Sequence, residues 1–184
     1  MKTYKPTTPS RRQMSTVTYK GVLTASSPLK SLTKGRKRSV GRNNTGRITT
    51  RHKGGGNKRV FRDIDFSYDK KGIVGVVKTV EYDPNRSGFI GLVVYPDGDK
   101  RYALLPKEVG VGSKIIASED APVKSGNRLP LSKISVGTFV FNIEIKPGGG
   151  AVLVRSAGSF AQVVAHDNGY TSIKLPSTEV RKIP

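Results

Sequence analysis

Residues 87–105 read SGFIGLVVYPDGDKRYALL. Phe89–Tyr95 is an apolar run of strand length, and Lys100–Leu105 is a second β-prone run. Between them, Pro96-Asp97-Gly98-Asp99 combines residue types that make tight turns. Two such runs joined by a short turn predict a β-hairpin over 87–105.

Runs of similar length lie on both sides of this hairpin. They cover 60–66, 73–82, 114–117, 138–145, 151–155, 160–165, 171–175 and 179–183, and turns rich in Gly, Pro, Asn and Ser separate most of them. No segment has the length and period of a helix, apart from a possible turn near 131–136. Many short strands at close spacing predict an all-β protein built from small barrels or sandwiches.

A linker is predicted over 118–130, where Pro122, Gly126, Asn127 and Pro130 interrupt the strand pattern. It divides the β-rich part into two units of about 60 residues each. Units of this size have small cores, so we expect a binding partner to contribute to their stability.

The charge is concentrated at the N-terminus. The chain of 184 residues has 33 Lys and Arg against 13 Asp and Glu, a net charge of +20. Residues 1–60 hold 16 of these cations and no acid, whereas residues 61–184 hold 17 cations and all 13 acids. Apolar residues are sparse in the first part, and Pro and Gly would break a long helix. We expect residues 1–59 to form an extended basic arm that is disordered until a polyanion neutralises it.

The sequence offers few candidate residues for catalysis. The chain has no Cys and two His, and it lacks the P-loop and nucleophile-elbow patterns. Asp63 and Asp65 lie on one strand face, where we expect them to face solvent and pair with Lys58, Arg59 or Arg62. We therefore expect no enzyme, metal site, cofactor or small-molecule substrate. No apolar segment approaches the length of a membrane span, so we expect no membrane partner.

Signals for nucleic-acid binding are stronger. Residues 46–59, GRITTRHKGGGNKR, combine cations with a triple glycine. Backbone without side chains can approach a phosphate closely, and an Arg guanidinium can bind phosphates or stack on bases. Two further cations lie at ends of strands: Arg86 in the loop Asp83–Gly88, and Arg155 before Ser156-Ala157-Gly158. We expect both to contact nucleic acid.

The sequence resembles the large-subunit ribosomal protein L2 family, bacterial type, in four segments that occur in order along the chain. They are GRITTRHKGGGNKRVFRDIDF (46–66), EYDPNRSGFIGLVVYPDGDKRYALL (81–105), VGTFVFNIEI (136–145) and RSAG (155–158). The resemblance implies a basic N-terminal extension followed by an OB-fold barrel and an SH3-like barrel. It also implies binding to large-subunit rRNA and other ribosomal proteins, a role in association with the small subunit at an inter-subunit bridge, and a place near the peptidyl transferase centre, where the RNA catalyses the reaction.

This resemblance assigns 1–59 to the arm, 60–122 to the OB-fold barrel and 123–184 to the SH3-like barrel. Family members continue into a Gly- and His-rich extension, whereas this sequence stops at Pro184. We therefore expect the second barrel to be incomplete at its C-terminus and the family's functional histidine to have no counterpart here. The expected location is the cytoplasmic ribosome, with an organellar ribosome left open.

The rRNA contacts that the resemblance implies lie in the arm and at the two strand ends. They are Arg36, Lys37, Arg38, Arg42, Arg47, Arg51, His52, Lys53, Gly54, Gly55, Gly56, Lys58, Arg59, Arg86 and Arg155.

Alternatives to a ribosomal role remain at this point. A free-standing OB/SH3-type regulator would stack single-stranded RNA on exposed aromatic side chains. Its candidates are Phe61, Tyr68, Tyr82, Phe89 and Tyr95, although their alternation favours core positions. A secreted polyanion-binding protein is disfavoured because no signal-peptide pattern begins the sequence, and the glycines of the arm disfavour the amphipathic helix of a mitochondrial transit peptide.

Overall fold

The computed structural model describes residues 1–35 and 38–184. Strands make up 32% of it and helices 5%, so the predicted all-β class is confirmed. The strands in these ranges are β1 (Lys2–Thr3), β2 (Ser15–Thr16), β3 (Thr33–Gly35), β4 (Val60–Arg62), β5 (Gly75–Glu81), β6 (Ile90–Val94), β7 (Lys100–Leu104), β8 (Lys114–Ile115), β9 (Phe139–Val140), β10 (Ile143–Glu144), β11 (Ala151–Leu153), β12 (Ala161–Asp167), β13 (Tyr170–Lys174) and β14 (Val180–Ile183). The helical elements are α1 (Pro9–Arg12) and 3₁₀ turns at Lys30–Leu32 and Leu131–Lys133. None of the described helices is long and apolar enough to cross a membrane.

The first unit is built on an antiparallel sheet of order β7-β6-β5-β8. Its β6–β7 hairpin runs in register from Ile90 opposite Leu104 to Val94 opposite Lys100. The Tyr95 N–H closes the turn by donating to the Asp99 carbonyl at 3.0 Å. The hairpin predicted over 87–105 is therefore confirmed.

Strand β6 is apolar without alternation because it is buried on both faces of the sheet. Ile90 and Leu92 pack with Tyr102 on one face, whereas Val93 packs with Val77 on the other. Gly91 lies between them, where a Cβ atom would come within 2.6 Å of Leu105 Cδ1. Only glycine fits this position without displacing the Leu105 side chain.

A β-bulge bends strand β5. Its register with β6 moves from Val77 opposite Val93 to Thr79 opposite Leu92, which leaves Lys78 as the extra residue. A bulge increases local twist and bends the strand, so it helps this sheet to curl around its core.

The second unit contains an antiparallel sheet of order β14-β13-β12-β9. Its core consists of Ile143, Ala161, Val163, Ile173 and Ile183. The single strand predicted over 138–145 is wrong, because the left-handed backbone of Asn142 (φ 56°) separates β9 from β10.

Part of the predicted disordered arm is folded onto the first unit. The Thr24 N–H donates to the Val80 carbonyl at 3.0 Å, and the Val80 N–H donates to Thr24 Oγ1 at 2.8 Å. Leu29 and Leu32 pack against the cluster that contains Tyr102, and β3 pairs with β4. The expectation of disorder is wrong for residues 24–35, because two leucines three positions apart are enough to cover that cluster.

The predicted linker is also fixed to the first unit. Arg128 donates its N–H to the Ile116 carbonyl at 2.9 Å, and its own carbonyl accepts the Ser118 N–H at 3.1 Å. Asn127 Oδ1 accepts the Ile116 N–H at 3.1 Å. These bonds turn the segment back on itself before the second unit begins.

A buried hydroxyl joins the arm to the sheet. Tyr102 is fully buried; its O–H donates to Glu81 Oε2 at 2.7 Å and accepts the Leu29 N–H at 2.8 Å. The second oxygen of Glu81 accepts the Thr79 hydroxyl at 2.8 Å. Burial, and next the hydrogen bond to Glu81, raises the pKa of Tyr102 to about 12. The hydroxyl therefore stays protonated and satisfies the buried Glu81 carboxylate and the Leu29 N–H.

Removal of this hydroxyl tests its structural role. In Tyr102→Phe, the Glu81 carboxylate and the Leu29 N–H each lose a buried partner, so we expect the free energy of unfolding to fall by about 2 to 4 kcal/mol. Urea unfolding measures the loss. Tyr170→Phe, at a side chain that is half exposed, is the matched control and should change stability little; an equal loss in both variants would contradict the role of Tyr102.

Truncation tests the boundary between free arm and folded core. Deletion of 1–23 leaves the Thr24, Leu29 and β3 contacts in place, so the urea midpoint should fall little. Deletion of 1–35 exposes the Tyr102 cluster and removes β3, so it should lower the free energy of unfolding by about 2 kcal/mol or more, the value for two half-buried leucines. If both truncations unfold at the same urea concentration, residues 24–35 are not part of the core.

Candidate nucleic-acid interface

The most basic segment of the chain is a closed loop. Residues 36–59, here called the basic loop, leave the first unit after β3 and return to it at β4, and Gly35 pairs directly with Val60. Nine of the 16 N-terminal cations lie in this loop, which has no acid. Both of its ends are anchored, so it loses less conformational entropy on binding than a free tail of equal length.

Hydrogen bonds give the first half of the loop a defined shape. The Gly41 carbonyl accepts the N–H groups of Thr49 and Thr50 at 2.9 and 3.1 Å. A Cβ atom on Gly41 would lie 2.3 Å from the Thr50 carbonyl oxygen, so this turn requires glycine. Asn43 Oδ1 accepts the Arg47 N–H at 3.0 Å. The backbone around Arg42 and Arg47 is therefore fixed while both side chains are exposed.

The remaining predicted loop contacts are also on the surface. Exposed positions are Arg38, Arg51, His52, Lys53, Gly54, Gly55, Gly56, Lys58 and Arg59. Arg38 donates to the Gly55 carbonyl, and no Lys or Arg in 38–59 forms an ion pair with a carboxylate among the described residues. Arg36 and Lys37 lie outside the described residues. The described part of the loop thus carries positive charge that no carboxylate among the described residues neutralises.

The carboxylates near the loop are paired with cations other than those predicted. Asp63 pairs with Lys34 at 2.6 Å, and Asp65 pairs with Arg101 at 2.8 Å. The predicted partners Lys58, Arg59 and Arg62 are therefore wrong. Pairing across β3–β4 brings Lys34 beside Asp63, a contact between distant residues that spacing along one strand could not show.

Arg86 is far less accessible than a loop arginine usually is. Its side chain is 17% exposed, and its Nε donates to Asp83 Oδ2 at 2.6 Å. Asp83 is fully buried, and its other oxygen accepts the Asn85 backbone N–H at 2.9 Å. The cation at this position neutralises a buried carboxylate.

Arg155 is exposed and lies on the opposite side of the boundary between the two units. Its hydrogen bond to the Ala151 carbonyl is long, 3.4 Å, and it pairs with no carboxylate among the described residues. The backbone of Val154, immediately before it, is left-handed with φ 57°, which is a strained conformation for a β-branched residue.

The structure brings Arg86 and Arg155 together on one aromatic ring. The Phe66 ring centroid lies 5.7 Å from the Arg86 guanidinium carbon and 4.6 Å from that of Arg155. The loop and the turn also meet directly, since the Ala157 N–H donates to Ser87 Oγ at 3.0 Å. We call this meeting of Phe66, Asp83–Gly88 and Arg155–Gly158 the junction. Sequence reasoning found both cations but missed Phe66, because nothing in the spacing links it to either.

More hydrogen bonds hold the two units together beside the junction. The Ala151 N–H donates to the Phe66 carbonyl at 2.8 Å, and Asn142 Nδ2 donates to the Tyr68 hydroxyl at 2.9 Å. The Arg128 guanidinium lies 4.4 Å from the Tyr68 ring centroid and pairs with Glu144 at 2.6 Å. Burial raises the pKa of Tyr68 to about 12, so its hydroxyl remains a neutral partner for Asn142.

The aromatic side chains considered for base stacking differ in their exposure to solvent. Tyr95 is buried, as core filling predicts, and Phe61, Tyr68 and Phe89 are half-buried. The core prediction is wrong for Tyr82, which is 44% exposed. Its ring instead contacts Tyr19 of the arm, with ring centroids 5.2 Å apart. His166 is exposed, and its ring lies within hydrogen-bonding distance of the Ile134 carbonyl, 2.8 Å.

Comparison with known protein families matches both units of the chain. Residues 29–117 match the domain described as Ribosomal Proteins L2, RNA binding N-terminal domain. Residues 124–184 match the domain described as Ribosomal Proteins L2, C-terminal domain. The first match begins at Leu29, where the structure shows the arm joining the core.

These matches and the two curled sheets confirm the predicted fold, an OB-fold barrel followed by an SH3-like barrel. They also establish a structural, RNA-binding role in the ribosome, together with rRNA and other ribosomal proteins. The chain belongs to the ribosomal protein L2 family.

Proposed function

We propose that this protein is a non-catalytic constituent of the large ribosomal subunit that inserts its basic loop between elements of folded large-subunit rRNA. The observation that carries the proposal is the acid-free loop 36–59, closed at its base by β3 and β4. Phosphate neutralisation by such a loop supplies affinity, while contacts at defined positions on the two barrels fix the orientation of the protein on the RNA.

The proposed binding surface consists of the basic loop and the junction. The loop contributes its exposed cations and the triple glycine, where backbone can approach phosphates closely. The junction contributes a position that both barrels define together, since the Ala157–Ser87 hydrogen bond spans them. A folded RNA presents phosphates at fixed positions, so it can contact the loop and the junction without first being ordered.

The finer roles proposed here follow from family membership. We infer that the protein supports association of the large subunit with the small subunit at an inter-subunit bridge, and that it supports the peptidyl transferase region without catalysing the reaction. We infer a cytoplasmic ribosome as the location. A non-catalytic role agrees with the pairing of the carboxylates that could serve acid–base chemistry: Asp63 with Lys34, and Asp65 with Arg101.

Salt dependence tests the electrostatic role of the loop. Replacement of 36–59 by a Gly/Ser linker of equal length keeps Leu29, Leu32 and the β3–β4 ends, so the protein should stay folded. Each neutralised phosphate contributes about −0.7 to −0.9 to the slope of log K against log salt. Loss of the nine loop cations should therefore flatten the slope by up to about 6 to 8.

The control for this experiment is deletion of 1–23, which removes five cations and should flatten the slope by at most about 4. Filter binding or fluorescence anisotropy across a salt series gives each slope. A loop-replaced protein with the slope of the wild type would contradict the proposal.

Discrimination between RNAs tests the ribosomal role itself. We expect the full chain to bind folded large-subunit rRNA fragments at least about tenfold more tightly than unstructured RNA of equal length, because folded RNA needs no ordering to contact the loop and the junction together. Competition binding at one salt concentration measures the ratio. Equal affinity for both RNAs would contradict the proposal and would favour a regulator that binds single strands.

A further inference from the structure

The N-terminal arm covers an aromatic face of the first barrel. We propose, on the basis of the proposed rRNA-binding function, that Tyr82 and Phe89 form a stacking site for an unpaired RNA base and that Tyr19 of the arm occupies this site in the free protein. The arm thereby restrains binding to single-stranded RNA and leaves binding to folded RNA unaffected.

Pairing between β5 and β6 brings Tyr82 and Phe89 together. Glu81 lies opposite Ile90 in the antiparallel register, and Tyr82 and Phe89 are the next residues beyond this pair on the two strands. Tyr82 is 44% exposed and Phe89 is half-buried. Neither ring belongs to one of the core clusters of the described residues. The two rings, here called the aromatic face, are therefore available for a contact outside the core.

Tyr19 covers the aromatic face with its own ring. Its ring centroid lies 5.2 Å from that of Tyr82, with 53° between the ring planes, and 6.1 Å from that of Phe89, with 74° between the planes. The face thus accommodates a planar aromatic ring. A nucleobase is also planar and aromatic, and its stacking on aromatic side chains depends little on base sequence.

The charges beside the aromatic face suit a polyanion. Lys20, which follows Tyr19, is exposed. The two acids next to Tyr82 along the chain, Glu81 and Asp83, are buried, and their oxygens accept hydrogen bonds within the barrel. Neither acid presents its carboxylate to solvent, so the phosphates that flank a stacked base meet little repulsion from them.

The hold of Tyr19 on the aromatic face is weak. Tyr19 is 47% exposed. The hydrogen bonds described for residues 1–23 all stay within that segment, and its described aromatic contacts with the barrel are those of the Tyr19 ring. A ligand that displaces this one ring therefore breaks no hydrogen bond described between residues 1–23 and the barrel.

A short tether nevertheless returns Tyr19 to the aromatic face. Thr24, five residues further along the chain, is fixed to Val80 by two hydrogen bonds. The Tyr19 carbonyl accepts the Val22 and Leu23 N–H groups at 3.1 and 3.0 Å, which folds the segment between Tyr19 and Thr24 into a turn. The tether gives Tyr19 a high effective concentration at the face, so a base must compete with it.

This competition distinguishes RNAs by their structure. Paired bases of a folded RNA are not free to stack on the aromatic face, so such an RNA binds through its phosphates and shape, and Tyr19 does not affect it. An unpaired base can stack there only after it displaces Tyr19, which lowers its apparent affinity. The arm thus increases the preference of the free protein for folded RNA.

Binding of the full chain to a short oligouridine, and to an abasic strand of the same length, tests the proposal. Tyr19→Ala should bind oligouridine about fivefold more tightly than the wild type, because the competing ring contacts are lost. Adding Tyr82→Ala should reverse this gain and weaken oligouridine binding about tenfold relative to Tyr19→Ala. All three proteins should bind the abasic strand within about twofold of one another, because it offers phosphates without bases.

Tyr4→Ala is the matched control, because the contacts described for the Tyr4 side chain are with Lys2, Arg11 and Thr16 of the arm. Its oligouridine affinity should stay within about twofold of the wild type. The proposal is overturned by equal gains in Tyr4→Ala and Tyr19→Ala, by an equal gain for the abasic strand, or by a gain that Tyr82→Ala leaves in place.

Fluorescence tests the displacement itself. The chain has no Trp, so Tyr19→Trp introduces a single reporter at the aromatic face. Saturation with oligouridine should move its emission to longer wavelength, as the indole leaves the two rings for water, and the abasic strand should move it much less. Unchanged emission at saturation with oligouridine, or an equal shift with the abasic strand, would show that no base displaces the arm.

A folded rRNA fragment, measured in the same series, separates this proposal from the proposed function. Tyr19→Ala should bind the fragment as tightly as the wild type, so its preference for folded over unstructured RNA should be about fivefold smaller. If the wild type shows no such preference, the proposed function fails. If the preference is present and Tyr19→Ala leaves it unchanged, only the role of the arm as a cover fails.

Discussion

The hydrogen bonds of the Tyr102 hydroxyl connect the basic part of the chain to its folded part. Tyr102 lies at the centre of the first barrel, where it joins the Glu81 carboxylate to the Leu29 backbone. With Leu29 fixed, Leu32 covers the same cluster and β3 reaches β4. The basic loop is consequently closed at its base. The buried hydroxyl, the two leucines and the β3–β4 pairing together keep nine cations on a closed loop.

This arrangement places positive charge in the basic loop and the stabilising core in the barrels. Repulsion among the cations opposes folding of the loop alone, and nothing in its composition offers a core. The barrels provide that core and keep their own carboxylates neutralised by cations such as Lys34 and Arg101. Positive charge is densest in the loop, which has nine cations and no acid, whereas the rest of the chain mixes cations with all 13 acids. The junction exists only when both barrels are docked. It therefore depends on one orientation of the barrels relative to each other.

The sequence was informative where a signal is local. The hairpin and the all-β class follow from runs of neighbouring residues, and the structure agrees with both. It was uninformative where distant residues meet. Leu29 looks like an isolated apolar residue in a polar arm until Tyr102 is placed beside it. Spacing likewise cannot show the contact between Phe66 and Arg155, which lies 89 positions further along the chain. The break in the strand predicted over 138–145 could not be predicted either, because a β-prone run does not show that Asn142 adopts a left-handed backbone.

Amide hydrogen exchange of the free protein tests the central claim most directly, because it reports on the arm before any RNA is present. The Leu29 N–H is bonded to the Tyr102 hydroxyl, and the Asp63 N–H donates to the Leu32 carbonyl at 2.9 Å. If the arm is anchored as described, both amides exchange as slowly as those of β5 and β6 and open with nearly the global free energy of unfolding. If they exchange at the rate of an unfolded chain while β5 and β6 stay protected, the loop is a free tail without RNA and the account is contradicted.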